Sequence, residues 1–164
     1  MATAPELLQA PPEVLIRPMR LSDVTEVVAL ERCSYQFPWS EGIFRDCLRV
    51  GYLCRVVTVN RHVTAYAVMS VGAGEAHILN LCVAEAFRCR GVGKRLLSSL
   101  VERASAAGIG AAFLEVRPSN TAAIRLYLSV GFEQVGTRRG YYQAVGGRED
   151  AAVLKLALRA SPAR

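Results

Sequence analysis

The strongest structural signal in the chain is the stretch Val83-Ala-Glu-Ala-Phe-Arg88-Cys-Arg-Gly91-Val-Gly93-Lys-Arg95, which lies between a predicted strand and a predicted helix. Gly91 and Gly93 lack a Cβ, so the backbone can fold there into a concave nest of N–H groups. The positive end of the following helix points at the same spot. Four basic side chains add charge: Arg88, Arg90, Lys94 and Arg95. This combination predicts a binding site for a pyrophosphate.

Two other nucleotide-binding loops fit this stretch poorly. A P-loop needs glycine at position 88 and Ser or Thr after its lysine, but the chain has Arg88 and Arg95 there. A dinucleotide fingerprint needs a third glycine at position 96, which is Leu96. A tight strand-to-helix turn whose charges are only solvated is the alternative to phosphate binding.

The segments around this turn predict a mixed sheet. Before it, residues 52–59, 63–71 and 76–83 are rich in β-formers and separated by short turns, which predicts an antiparallel meander. After it, a helix, a strand and a second helix follow, which implies a right-handed crossover and parallel strands. Two final strands are expected at about 132–139 and 151–158. We therefore expect an α/β sandwich of six to seven strands with helices on both faces.

Three polar residues are predicted to cap helices. Asp23 precedes a run with valines on one face, Ser40 follows a loop that contains Pro38, and Asn120 follows the strand 111–116. We expect a single domain at 14–158, with a loose leader at 1–13 and a loose tail at 159–164.

Composition narrows the classes of function. With 20 basic and 14 acidic residues, the net charge of +6 indicates an anionic partner such as a nucleic acid, an anionic membrane or a phosphorylated small molecule. No run approaches the ~18 apolar residues of a membrane span. Five cysteines without a C-x-x-C pair predict free thiols in a reducing cytoplasm. The only histidines, His62 and His77, have no ligand cluster near them, so no metal site is expected.

The turn Arg88-x-x-Gly91-x-Gly93, after Leu81-Cys-Val83 and before an amphipathic helix, resembles motif A of the GNAT acetyltransferases. The resemblance covers roughly 16–158 and implies the GNAT fold. In that family the turn binds the pyrophosphate of acetyl-CoA, so the resemblance implies acetyl-CoA as co-substrate. The implied acetyl-CoA residues are Leu81, Cys82, Val83, Arg88, Cys89, Arg90, Gly91, Val92, Gly93, Lys94 and Asn120.

More specific segments resemble the RimI-type branch of the GNAT family. They are Leu114-Glu-Val-Arg-Pro-Ser-Asn120, Arg139-Gly-Tyr-Tyr142, Gly146-Gly-Arg-Glu-Asp150 and Phe37-Pro-Trp-Ser40. Enzymes of that branch acetylate the N-terminal alanine of a small-subunit ribosomal protein. The resemblance implies the same α-amino acceptor here, with acetyl transferred by direct attack in a ternary complex.

The resemblance also implies the catalytic residues. Glu115, near the end of its strand, is the implied general base, and Tyr127 is the implied acid that protonates the departing thiolate. We expect the backbone N–H of Val83 to stabilise the developing oxyanion. The plainer alternatives are an exposed strand-end glutamate and a packed helix tyrosine.

An aromatic groove for the acceptor peptide is a further hypothesis. Tyr141 and Tyr142 resemble the peptide-binding tyrosines of the family, and Phe37, Pro38 and Trp39 are expected opposite them. Neighbours in a strand face opposite ways, so one tyrosine is expected to line the groove while the other packs. A plain aromatic cluster is the alternative. Residues 148–150 either order the last hairpin or contact the peptide.

Three other functions and one other mechanism stay open at this point. A GNAT enzyme acting on protein lysine or a small amine fits the glycine turn equally well. A basic RNA-binding module would explain the charge, although no RNA motif is present and no direct nucleic-acid or membrane contact is expected. A CoA sensor without turnover is disfavoured by Glu115 and Tyr127. A covalent acetyl-cysteine route would use Cys82.

Overall fold

The computed structural model describes residues 12–159. Its strands are β1 (Val14–Pro18), β2 (Leu53–Val59), β3 (His62–Gly72), β4 (Glu75–Val83), β5 (Ala111–Val116), β6 (Glu133–Ala144) and β7 (Gly147–Ala157). Its helices are α1 (Val24–Ser34), α2 (Glu41–Arg49), α3 (Val92–Ala106) and α4 (Thr121–Val130), and short 3₁₀ turns occupy Leu21–Asp23 and Glu85–Phe87. The predicted leader at 1–13 and tail at 159–164 lie almost entirely outside the described residues.

The strands form one seven-stranded mixed sheet in the order β1-β2-β3-β4-β5-β7-β6. Strands β1 to β4 are an antiparallel meander, and β4 pairs with β5 in parallel through the α3 crossover. These features confirm the predicted architecture. The last hairpin is longer than predicted: β6 reaches Ala144 and β7 begins at Gly147, because the turn lies at 145–146, where Gly146 has a φ of +76°.

Helices cover both faces of the sheet, as predicted. Leu96, Leu97 and Leu100 of α3 pack with Ile78 and Leu114 in one buried cluster. A second cluster on the opposite face holds apolar residues of α1 and α2 against β2, β3 and β4. The sheet is therefore held between two apolar layers.

Two of the three predicted helix caps are confirmed. The Ser40 side chain accepts a hydrogen bond from the backbone N–H of Ile43 at 3.3 Å, and the Asn120 side chain accepts one from Ala123 at 3.2 Å. The Asp23 prediction is wrong. Its carboxylate accepts from the Arg20 N–H and is ion-paired with Arg17, so it stabilises the 3₁₀ turn before α1 instead of capping α1.

Strands β4 and β5 separate part of the way along their length. Their pairing runs from Glu75 opposite Ala111 to Ile78 opposite Leu114 and then ends. At that point the pairing of β4 with β3 shifts, so Leu79 is an extra residue in β4. Such a bulge bends its strand. The bend opens a gap between the ends of β4 and β5, and the candidate site lies in this gap.

None of the helices described between residues 12 and 159 has both the length and the apolar character needed to cross a membrane.

Candidate active site

A cavity of about 630 Å³ occupies the gap between β4 and β5. Eight of the predicted site residues line it: Phe37, Trp39, Leu81, Glu115, Asn120, Tyr127, Tyr141 and Tyr142. Pro38, Cys82, Val83 and the stretch 88–94 are not among its lining residues. The structure thus brings together both predicted catalytic residues and the predicted acceptor residues except Pro38, and it places the glycine turn outside this cavity.

The glycine turn at the start of α3 is concave and rich in unpaired amides. Gly91 has a φ of +78° and Cys89 a φ of +59°, so two nearly adjacent residues adopt the left-handed conformation that builds a nest. No side chain caps α3, and the first helical bond runs from the Arg95 N–H to the Gly91 carbonyl at 3.0 Å. The N–H groups at the start of the helix are therefore available to an anion.

Gly93 connects this turn to the rest of the site. A Cβ on Gly93 would lie 3.1 Å from a methyl group of Leu126 and 3.4 Å from one of Val83. The first turn of α3 therefore packs tightly against α4 and the end of β4. Gly91 meets nothing within 4 Å, so its requirement for glycine comes from its φ and not from crowding.

Main-chain groups of β4 face the gap in a regular alternation. The N–H of Ala84 bonds to the Thr64 carbonyl of β3, so alternate residues of β4 bond to β3 and the intervening Leu81 and Val83 point into the gap. The outward carbonyls are already occupied. Tyr35 donates its hydroxyl to Leu81 at 2.7 Å, and Arg88 Nε donates to Val83 at 2.9 Å. The outward N–H groups remain for a ligand.

Cys82 lies between these two residues and its side chain faces the other way. It is buried in the cluster beneath α1, beside Ser34, Tyr35 and Tyr66. Burial raises the pKa of its thiol, which keeps it protonated and unreactive. The placement gives no support to the covalent acetyl-cysteine route.

Glu115 is one of three glutamates that line the cavity, with Glu31 and Glu149. It occupies the second-last position of β5, and its Oε1 lies 3.2 Å from Nε of Arg138 on β6. The Glu115 side chain is 16% exposed, while Arg138 is 58% exposed. Sequence reasoning missed Arg138, because the contact joins residues 23 positions apart across β7 and no local pattern records it.

Tyr127 is buried at the inner end of the cavity. Its ring packs edge-to-face on Phe132 with centroids 5.8 Å apart. Burial alone raises the pKa of its hydroxyl to about 12. The group is therefore protonated at neutral pH and can act as a proton donor.

Tyr141 and Tyr142 lie together, and the prediction that they face opposite ways is wrong. Both line the cavity, and their rings meet edge-to-face at 4.9 Å. Strand β6 advances four residues from Arg138 to Tyr142 while β7 advances two, so a bulge breaks the alternation. Gly140, at a φ of +57°, forms the bend and donates its N–H to Asp150.

Side chains of the β6–β7 hairpin itself stabilise its shape. Arg148 donates to the backbone carbonyls of Gly140 and Tyr141, and Asp150 accepts from Gly140. Arg148 and Asp150 thus order the hairpin, which is the first of the two roles considered for residues 148–150. Glu149 instead points to the loop after β5, where it accepts from Ser119 at 2.9 Å.

A buried carboxylate holds the loop between α1 and α2. Glu31 accepts from the Trp39 N–H at 2.9 Å, from the Asn80 amide at 3.1 Å and from the Tyr66 hydroxyl. Sequence reasoning missed Glu31, although a signal was present. It continues the helical face of Val24, Val27 and Val28, where a charged residue is out of place unless it binds buried donors.

Comparisons with known proteins agree with this geometry. The model of the acetyltransferase (GNAT) family matches residues 24–132. The chain is 36% identical over 141 residues to the [ribosomal protein bS18]-alanine N-acetyltransferase of Escherichia coli K12, an alignment that covers 86% of this chain and 95% of the relative.

Solved structures show the same architecture. The crystal structure of the ribosomal-protein-S18-alanine N-acetyltransferase from Escherichia coli matches with a TM-score of 0.84 and 34% identity, covering 91% of this chain and 96% of that one. Ard1 from Thermoplasma volcanium matches with a TM-score of 0.81 and 26% identity, covering 88% and 97%. The splayed β4–β5 pair, the glycine turn and these matches lead to one conclusion: the chain belongs to the GNAT acetyltransferase family.

Proposed function

We propose that this enzyme transfers an acetyl group from acetyl-CoA to the α-amino group of an N-terminal alanine on a small-subunit ribosomal protein. The observation that carries the proposal is the placement of Glu115 and Tyr127 in one cavity between two aromatic walls. Relatives at 36% identity, aligned over nearly their whole length, are named for acetylation of the alanine of bS18. We extend that substrate to this chain.

The chain's own groups fit acetyl-CoA. The amides of Val92, Gly93 and Lys94 and the nest around Gly91 suit a pyrophosphate, and the arginines beside them add positive charge. The outward N–H groups of β4 suit the polar groups of the pantetheine arm, because the neighbouring carbonyls are already bonded to Tyr35 and Arg88. When bound, acetyl-CoA supplies the activated acetyl group.

Two outward N–H groups are candidates for the oxyanion donor. Val83, the residue expected from the sequence, lies at the end of β4 that packs against Gly93. Leu81 lies nearer the catalytic residues and lines the cavity with Glu115 and Tyr127. We therefore assign the oxyanion contact to the Leu81 N–H and a contact with the pantetheine arm to Val83.

Glu115 takes the proton of the acceptor amine, directly or through a water. An α-amino group has a pKa of about 7.7–8.0, against about 10.4 for lysine, so it is far easier to deprotonate near neutral pH. The carboxylate also attracts the incoming ammonium. Arg138 already contacts Glu115 from the exposed side, so the ammonium and Arg138 share one carboxylate.

Tyr127 delivers a proton to the departing thiolate. Its ordinary pKa is near 10, and burial raises it to about 12, so the proton is present throughout the physiological range. The fixed packing on Phe132 holds the hydroxyl in one place, which proton transfer requires.

The acceptor enters between the two aromatic walls. Phe37 and Trp39 form one wall and Tyr141 and Tyr142 the other. We place Pro38 in the loop that shapes the first wall. Residues 14–158 form the catalytic domain in this proposal, which works in the cytoplasm without a metal and without direct contact to nucleic acid or membrane.

One experiment tests the acceptor. The protein is incubated with acetyl-CoA and a peptide that carries both an N-terminal alanine and an internal lysine, and fragmentation mass spectrometry locates the acetyl group. We expect acetyl on the terminal amine. Acetyl on the lysine alone would overturn the acceptor while keeping the family. Acetyl on neither amine would indicate either a small-amine acceptor or an inactive protein. Calorimetry with acetyl-CoA would then show whether the protein still binds its co-substrate.

A further inference from the structure

Arg117 follows β5 directly and contacts three walls of the cavity. Its guanidinium carbon lies 4.4 Å from the ring centre of Tyr142 and 5.9 Å from that of Phe37. Its Nη1 lies 3.4 Å from Oε1 of Glu149 on β7. The side chain therefore joins the α1–α2 loop, strand β6 and strand β7 at a single point.

We propose that Arg117 is a specificity-determining positioning residue, which fixes the width of the acceptor groove by holding Phe37 and Tyr142 at a set separation. This inference rests on the proposed function, because it concerns the choice between α-amino and lysine acceptors. Arg117 takes no part in the proton transfers assigned to Glu115 and Tyr127.

The guanidinium is suited to this role by its shape. It is planar and delocalised, so it can lie against aromatic rings and still present N–H donors to a carboxylate. The ion pair with Glu149 is partly exposed, at 30% and 24% for the two side chains, and exposed pairs contribute little by themselves. Ser119 donates to the same carboxylate oxygen and restricts its position. The contacts with the two rings are therefore the part that a lysine cannot replace.

The two walls depend on Arg117 because they belong to separate parts of the fold. Phe37 is 41% exposed and lies on a loop whose anchor is the Trp39 bond to Glu31 on its inner side. Tyr142 lies on β6, an edge strand whose pairing partner within the described residues is β7 alone. Among residues 12–159, Arg117 is the only cation placed over a ring on each side of the groove.

A fixed groove discriminates between amines by the chain that follows them. A terminal α-amine has backbone on one side only, whereas a lysine is flanked by backbone on both sides. A groove held narrow accepts the first and obstructs the second. Acetyl-CoA binds toward the glycine turn of α3, so its affinity does not depend on this contact.

The test compares Arg117→Lys with Arg125→Lys, the same change on the exposed surface of α4. Kinetics use the peptide with an N-terminal alanine and an internal lysine, and calorimetry measures acetyl-CoA affinity. For Arg117→Lys we expect the peptide KM to rise about tenfold and the ratio of terminal to lysine acetylation to fall about tenfold. We expect kcat and acetyl-CoA affinity to stay within about twofold, and Arg125→Lys to match the wild type.

A double-mutant cycle tests the contact itself. Phe37→Leu is expected to raise the peptide KM, and adding Arg117→Lys to it should raise KM by less than the product of the single effects. Additive effects, or an unchanged KM and acetylation ratio in Arg117→Lys, would overturn the inference and leave the proposed function standing. Lysine acetylation alone by the wild type would overturn both.

Discussion

The two halves of the proposed active site differ in the kind of chemical group that forms them. In the proposed site, the acetyl-CoA half consists mostly of main-chain groups, namely the amides at the start of α3 and the outward N–H groups of β4. The acceptor half consists of side chains that come from the α1–α2 loop, β5, α4 and the last hairpin. A glycine in the sequence indicates an unusual backbone conformation at that position. The relative positions of side chains from different elements depend on the whole fold.

This difference predicts different responses to substitution. In the acetyl-CoA half, a variant matters when it changes the backbone conformation. In the acceptor half, a variant matters when it changes a charge, a hydroxyl or a ring. Substitutions at four positions test this comparison, in order of decreasing expected effect.

The largest effect is expected for Glu115→Gln, which keeps the shape of the side chain and removes the base. We expect kcat to fall about 10²- to 10⁴-fold, the usual contribution of a positioned general base, with acetyl-CoA affinity within about twofold. Steady-state kinetics and calorimetry measure the two quantities. Glu133→Gln, at an exposed position of β6, is the control and should match the wild type. Turnover within tenfold of the wild type would remove Glu115 from the role of base.

The next largest effect is expected for Gly91→Val, and it falls on acetyl-CoA affinity instead of turnover. Valine is strained at a φ of +78°, so the nest should open and acetyl-CoA affinity fall at least about 100-fold. Gly74→Val is a matched control, because Gly74 has the same φ, has open space around it and lies in the β3–β4 turn away from the site. Both variants should lose about 1–2 kcal/mol of stability, but only the first should lose affinity. Equal affinity in the two variants would contradict the nest assignment.

A smaller effect is expected for Tyr127→Phe, which removes one hydroxyl and keeps the packing on Phe132. We expect kcat to fall about ten- to a hundredfold, because a thiolate is already a fair leaving group. Burial raises the pKa of Tyr127 to about 12, so the hydroxyl keeps its proton as the pH rises through 10. The ratio of wild-type to variant kcat should therefore be constant from pH 7 to 10. A ratio that falls above pH 9 would show that the proton is lost earlier.

The sequence predicted the fold far better than the side-chain arrangement of the acceptor half, and its acetyl-CoA residues stay a prediction. The meander, the crossover and the caps at Ser40 and Asn120 follow from local periodicity and turn chemistry, and the structure confirms them. The prediction that Asp23 caps α1 is wrong because its carboxylate binds Arg17 of β1 and the Arg20 N–H instead. The prediction that Tyr141 and Tyr142 face opposite ways is wrong because a bulge in β6 breaks the alternation of side chains along the strand.

The residues that sequence reasoning missed share a cause. Glu31, Arg138 and Arg117 act through partners that are between 8 positions (Glu31 to Trp39) and 80 positions (Arg117 to Phe37) away, so their contacts depend on the folded chain. Of these, only Glu31 leaves a local sign, as a charge on an apolar helix face. An ion pair or a stacked guanidinium between strands leaves no periodic pattern in the sequence. Such contacts can be identified only from the structure.

The smallest effect concerns Asn120, the one residue that belongs to both halves of the comparison. Its side-chain oxygen caps α4 through the Ala123 N–H at 3.2 Å, and the family resemblance adds a contact with acetyl-CoA. Asn120→Asp keeps the capping oxygen and places a negative charge at a helix N-terminus, where it is favourable, so the melting temperature should not fall. The lost amide donor should still weaken acetyl-CoA binding about three- to tenfold.

Asn120→Ala should lose both properties, with about 1 kcal/mol of stability removed by the missing cap. Ser40→Ala provides the comparison, because Ser40 caps α2 through a similar bond of 3.3 Å and should lose stability without losing affinity. Thermal unfolding and calorimetry on the three variants separate the cap from the ligand contact. If Asn120→Asp binds acetyl-CoA as tightly as the wild type, Asn120 acts on the site only through the helix it begins, and the acetyl-CoA half is then built from main-chain groups even at this position.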